Sequence, residues 1–143
     1  MKRRFFLFLF FLGTVSLSFA QVSAMLGDWA TVDEKTGQKM AVVTLYKAAD
    51  GLYYGRISRM KVGPAGLLCT ECKGEDKDKP LEGLVIIREM KEEDGRLSGG
   101  RVLDPQTGKT YYAGIHLSNG RLVLRGSLDK RGIFGRNQVW ERP

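Results

Sequence analysis

Only two cysteines and one histidine occur among the 143 residues, and this scarcity removes most of the chemistry that a small protein can carry. His116 is the single side chain whose ordinary pKa lies near neutrality, so a nucleophilic Ser, Thr or Cys has one candidate base in the whole chain. Neither a Gly-x-Ser-x-Gly elbow nor a His-Glu-x-x-His segment is present, which leaves the serine hydrolases of that type and the zinc peptidases without a motif. Convincing helical periodicity is missing beyond residue 20, and with it any βαβ unit. Long apolar runs are scarce too. The one strongly apolar stretch, from Phe5 to about Ala20, falls short of the roughly 20 residues that a comfortable membrane span needs.

That stretch follows Lys2, Arg3 and Arg4 and leads into small residues, the pattern of a secretory signal peptide over residues 1–20. Ser18-Phe19-Ala20 is the expected cleavage site, Val22-Ser23-Ala24 a second candidate, and an uncleaved anchor the competing interpretation. No cysteine follows the small residues, so a lipoprotein anchor has no attachment point. The expectation is an exported protein of the periplasm or exterior, with no transmembrane span after cleavage. Of 23 Lys and Arg, three lie in the n-region, leaving 20 against 16 acids and a mature balance of about +4. The basic residues are interleaved with acids, as in Lys73, Glu75, Asp76, Lys77, Asp78 and Lys79, which is a solvated loop rather than a nucleic-acid footprint. Arg56, Arg59 and Lys61 offer at most a weak attraction to anionic membrane or cell-wall polymers and are otherwise explained by solubility. Residues 21–143 suffice for one domain.

What the chain has in quantity is turns. Thr36-Gly37, Asp50-Gly51, Asp94-Gly95, Thr107-Gly108 and Asn119-Gly120 separate short runs rich in Val, Ile, Leu, Tyr and Trp. Strands are predicted near Asp28–Asp33, Lys39–Lys47, Leu52–Lys61, Gly83–Met90, Arg96–Leu103, Thr110–Leu117, Leu122–Leu128 and Gly135–Glu141. Alternation places Tyr111, Ala113, Ile115 and Leu117 on one face, and Leu122, Leu124, Gly126 and Leu128 on another. The similar heptapeptides from Asp33 and Asp104 imply one shared turn type: Asp opens the turn and Gly closes it in the left-handed region. Glycines inside strand patterns (Gly55, Gly99, Gly100, Gly114 and Gly126) suit a strongly bent sheet. The predicted fold is all-β, a small eight-stranded antiparallel up-and-down barrel, with a two-sheet sandwich as the rival. Hairpin follows hairpin except across one long loop, residues 62–81.

That loop holds Cys69-Thr70-Glu71-Cys72. The spacing admits a disulfide, half a zinc site completed by His116 with Glu71 or Asp76, or a redox pair; export favours the disulfide, which would stiffen a loop tip. No catalytic residue and no cofactor are assigned. Asp104 precedes Pro105 at a strand end, where capping its own turn explains it fully. Inward-pointing candidates are Trp29, Tyr53, Ile57, Ile86, Tyr111, Ile115, Leu124 and Trp140. On the last strand Arg136, Gln138, Trp140 and Arg142 share one side, and polar groups turned into an apolar barrel need a partner, either another side chain or a ligand. Tyr53, Ile57, Ile86, Tyr111, Ile115, Leu124, Arg136, Gln138 and Trp140 therefore make up the candidate cavity for a small, at least partly apolar molecule. The alternative is a packed barrel that meets an envelope protein through the Cys69/Cys72 loop. An uncharacterised hydrolase or redox activity would rest on Asp104, His116 and the cysteines alone.

The ordered set Gly27-Asp28-Trp29, Gly55-Arg56-Ile57, Cys69-x-x-Cys72, Gly99-Gly100, Asp104-Pro105-x-x-Gly108-Lys109-x-Tyr111, Arg125-Gly126 and Trp140-Glu141-Arg142 resembles the exported bacterial proteins grouped as domain-of-unknown-function family 2147. The resemblance covers essentially the whole mature chain. It implies a lipocalin-like, calycin-type barrel in the cell envelope, with no agreed activity and no catalytic residues to carry over. The Gly-x-Trp is also similar to the opening motif of lipocalins, in which the Trp packs across the closed end against a basic residue; Trp29 with Arg142, or with Arg125, would fill those roles. The chain departs from lipocalins in being short, in lacking a long C-terminal helix and in keeping both cysteines in one loop.

Overall fold

The computed structural model describes residues 16–143, so the basic n-region and the apolar run from Phe5 to Leu12 lie outside the described residues. Helix α1 (Ser16–Met25) precedes eight strands: β1 (Gly27–Val32), β2 (Lys39–Lys47), β3 (Tyr53–Met60), β4 (Val85–Glu93), β5 (Arg96–Asp104), β6 (Lys109–Ser118), β7 (Arg121–Ser127) and β8 (Gly135–Trp140). All pair antiparallel, in chain order, within one sheet. Ala30 and Glu141 exchange main-chain hydrogen bonds of 2.6 and 3.1 Å, which returns the chain's end to β1 and makes the sheet a nearly closed barrel. Further along this seam a salt bridge of 3.1 Å joins Arg136 of β8 to Glu34 in the β1–β2 turn.

Local chemistry explains the hairpins. Asp94 and Asn119 adopt φ of 50°, and each is followed by a glycine near +73°, the two successive positive values of a tight hairpin turn that matches strand twist. In the turn at Asp33, the carboxylate accepts from the amides of Lys35 and Thr36, and the Gly37 amide donates to the Asp33 carbonyl. Asp104 does the same for the Gln106 amide and the Thr107 hydroxyl, with the Gly108 amide on its carbonyl. The shared turn is thus the reason for the two similar heptapeptides. β2 occupies the residues expected of it. β4 departs most, running from Val85 to Glu93 because the polar Lys91–Glu93 end continues to pair with Arg96–Ser98, beyond a positive φ of 57° at Glu89.

One buried cluster fills the barrel, including Trp29, Val43, Leu45, Ile57, Ile87, Leu97, Ile115, Leu122, Leu124 and Trp140. Helix α1 departs from the expectation of no helical pattern beyond residue 20, since it continues to Met25. Its extra turn and a half is too short to show periodicity and is held by tertiary burial, since Val22 and Met25 belong to the same cluster. Both candidate cleavage sites, Ala20 and Ala24, fall within this helix.

The long connection folds against the barrel. Cys69 and Cys72 form a disulfide, and both are buried in the core cluster, so the bridge lies in the interior and is not at an exposed loop tip. The loop clips onto itself through the Cys69 amide to the Lys79 carbonyl and the Leu81 amide to the Leu67 carbonyl. It also clips onto β4 through Asp76 and Arg88, 2.7 Å apart. Its contact with the β5–β6 turn is so close that a Cβ on Gly108 would collide with the Glu71 carbonyl.

Candidate functional site: the open end of the barrel

The two ends of the barrel differ. At the end where β1 begins, α1 covers the opening, and the Trp29 indole donates to the Met25 carbonyl at 2.7 Å. The Arg142 guanidinium lies 3.8 Å from the centre of the Trp29 ring and donates to the carbonyls of Ala24, Leu26 and Asp28. One arginine therefore ties helix, first strand and C-terminus together, while its charge faces the indole π-system. Arg125, the other basic candidate, is engaged elsewhere, with the carbonyls of Gly132 and Ile133 and the side chain of Asn137.

At the opposite end the 62–81 loop, with its buried disulfide, covers the side beside the β5–β6 turn, and the inner face emerges to solvent along β7 and β8. Directly paired residues point to the same side of an antiparallel sheet, so the pairs Leu122–Trp140, Leu124–Gln138 and Gly126–Arg136 line one face. Leu128, whose amide donates to the Phe134 carbonyl, extends that face past the last strand residues. Along it, Leu122, Leu124 and Trp140 are fully buried, whereas Gln138 is exposed, the Arg136 side chain is 79% exposed, and Phe134 and Leu128 are 70% and 73% exposed. A stopper of packed apolar side chains thus gives way to a rim that mixes an arginine, an amide and two large apolar groups. Half-buried Tyr111 and Val102 face this region from β6 and β5; a Cβ on Gly126 would stand in ordinary contact with them, 3.6 and 3.7 Å away.

The candidate cavity residues separate accordingly. Tyr53, Ile57, Ile86, Ile115, Leu124 and Trp140 are packed in the core. Tyr53 lies toward the helix-covered end, where its hydroxyl donates to Glu92 at 3.0 Å; burial first, then this carboxylate, raises its pKa. Tyr111, Arg136 and Gln138 meet at the open end. Both polar groups of β8 have side-chain partners: Arg136 pairs with Glu34, and Gln138 accepts from the Trp140 indole at 3.3 Å. The rim residues Phe134 and Glu34 are absent from the sequence-based candidates, and Leu128, although placed on the Leu122 face, is not among the candidate cavity residues. A signal for them was present, because Leu128 continues the alternation that begins at Leu122, and Ile133-Phe134 is an apolar pair within a turn where polar residues are the norm.

Among the described residues, no three His, Cys, Asp or Glu side chains converge as metal ligands. His116 is half-buried on β6, and burial, followed by the nearby Arg96 charge, lowers its pKa and favours the neutral ring. Asp104 is engaged by its own turn. The cysteine sulfurs are bonded to each other, so neither is available as a thiolate.

An up-and-down antiparallel barrel of eight strands, capped at one end by a short helix with an arginine stacked on a first-strand tryptophan, is a lipocalin-like fold. In agreement, the fold matches the solved structure of protein HP1028 from the human pathogen Helicobacter pylori, described as belonging to the lipocalin family, with a TM-score of 0.71 at 21% identity over 82% of each chain. Residues 27–142 match the family described as "uncharacterized protein conserved in bacteria (DUF2147)", and the chain belongs to that family. No curated protein sequence matches it.

Proposed function

We propose that the protein is an exported, non-enzymatic barrel of the cell envelope that binds a small, partly apolar molecule at the open end of its lumen. The observation that carries this reading is the gradient along the inner face of β7 and β8, from buried Trp140 to exposed Gln138, Arg136, Phe134 and Leu128. An apolar floor with a few oriented polar groups at its mouth is the composition of a small-molecule site. Export is supported by the basic and apolar N-terminal pattern. Cleavage after Ala20 fits the fold better than cleavage after Ala24, because it retains buried Val22 and the Ala24 carbonyl that Arg142 holds.

The test is native mass spectrometry, with denaturing extraction, of protein taken from its own envelope. A stoichiometric adduct lost on denaturation is expected. A clean apo mass, together with no retention of an added hydrophobic probe, would instead favour contacts through the 62–81 loop with an envelope protein. That second reading is supported by two surface concavities of about 460 and 410 Å³ flanking the loop, the first lined by Glu75, Asp76, Lys79 and Arg88 and the second by Gly63, Leu67 and Glu82.

A further inference from the structure

The β7–β8 turn, Leu128 to Phe134, carries three of the five large apolar side chains that are exposed among the described residues: Leu128 at 73%, Ile133 at 61% and Phe134 at 70%. Such a group on one turn is unusual for a surface that water must cover. The turn is nevertheless rigidly built. The Asp129 carboxylate accepts from the amides of Arg131, Ile133 and Phe134, and Arg125 donates from across the turn to the carbonyls of Gly132 and Ile133. The apolar groups are therefore held outward by polar bonds beneath them.

The turn also carries cations. Residues 121–143 hold six Lys and Arg against two acids, whereas residues 16–120 hold 14 of each. Of these six, Arg121 and Arg142 lie at the helix-covered end, Arg125 is bonded to the carbonyls of Gly132 and Ile133, and Arg136 is paired with Glu34, which leaves Lys130 and Arg131 for the surface of the turn. Lys130 and Arg131 are exposed at the tip and, among the described residues, neither is ion-paired; the nearest acid, Asp129, is turned into the loop.

We infer that this turn docks the protein on an anionic lipid bilayer, with Leu128, Ile133 and Phe134 entering the interface and Lys130 and Arg131 at the headgroups. A protruding apolar knuckle flanked by cations is complementary to a flat surface that is negative outside and apolar beneath. The preorganised loop loses little conformational freedom on docking. Because the same turn forms the rim of the barrel mouth, docking would open that mouth toward lipid. The inference does not depend on a ligand being bound there.

The experiment uses the protein as the cell processes it, its N-terminus defined by intact mass, carrying Phe134→Trp as a reporter at the tip. The two native tryptophans are buried, so a blue shift on adding vesicles reports on the turn. The expected result is a blue shift with vesicles of phosphatidylglycerol mixed with phosphatidylcholine that is much weaker with phosphatidylcholine alone. Replacing Lys130 and Arg131 together by Gln is expected to weaken binding roughly thirtyfold, from two basic residues near an anionic surface. Replacing Leu128 and Ile133 by Ser in the reporter protein is expected to weaken it by roughly tenfold or more. No blue shift with anionic vesicles would overturn the inference. So would a shift that needs no vesicles and grows with protein concentration, since the turn would then be covered by a second copy of the chain.

Discussion

Arg142 concentrates more structural consequence than any other single side chain, because three carbonyls from the helix end and first strand, and the face of Trp29, all depend on it. Replacing it by Ala should destabilise the barrel by about 2 kcal/mol, from charge-assisted hydrogen bonds and the cation–π contact less their partial exposure, measurable by urea denaturation. Lys should recover only part of this, since an ammonium cannot reach three acceptors while lying flat on the ring. At the other end, Asp76 gives the loop a pH dependence. Burial alone would raise its pKa, but Arg88 and Lys79 outweigh that and hold it below the ordinary 3.8. Its contribution is therefore complete above the usual carboxylate range and disappears as pH falls through the lowered value. Asp76→Asn should lose about 1 kcal/mol at pH 7 and show no further loss from this pair in acid, checked by denaturation at pH 7 and below pH 4. The capping role of Asp104 was legible from Asp and Gly spacing alone. The outward position of Arg136 was not, because whether an inner-face residue meets core or water depends on how far the barrel extends above it.

Among elements, the loop from β3 to β4 depends on its seat against the β5–β6 turn. Gly108, at φ 73° and against the Glu71 carbonyl, leaves no room for a side chain. Gly108→Ala should therefore destabilise by about 2 kcal/mol or more and raise hydrogen exchange across residues 67–81 before the barrel itself opens. Removing the disulfide by replacing both cysteines with Ala should add about 2 kcal/mol from the short closed loop, plus the loss of buried packing. The strands were legible because alternation and turn residues act over a few positions, as at Lys39–Lys47. The end of α1 was not: five residues, Gln21 to Met25, carry too little pattern, and their helix is stabilised by the barrel end that they cover. The loop's length was evident, yet its folding onto the barrel, with its cysteines buried, was not.

For the molecule as a whole, the inner-face position of Gly126 tests the ligand proposal. A Cβ there meets Tyr111 and Val102 at ordinary contact distances and Val suits a strand, so Gly126→Val should keep the barrel within about 1 kcal/mol of its original stability while its methyl groups crowd this wall of the mouth. It should also lower adduct occupancy in native mass spectra at least tenfold; unchanged occupancy would place the ligand elsewhere. A chain starting at Gln21 should likewise be more stable than one starting at Met25 by about 2 kcal/mol, because only the first retains Val22 against the core.

By itself the sequence determined the eight strands, their hairpin order and the turn chemistry, because each is set by the alternation of neighbouring side chains and by residues that accept positive φ. Tertiary structure alone decided which end of the barrel closes, how the disulfide loop seats and which inner-face residues reach water. Those properties depend on contacts such as Arg142 with Ala24 and Arg136 with Glu34, between residues more than a hundred positions apart, whose meeting requires the whole sheet to curl back on its first strand.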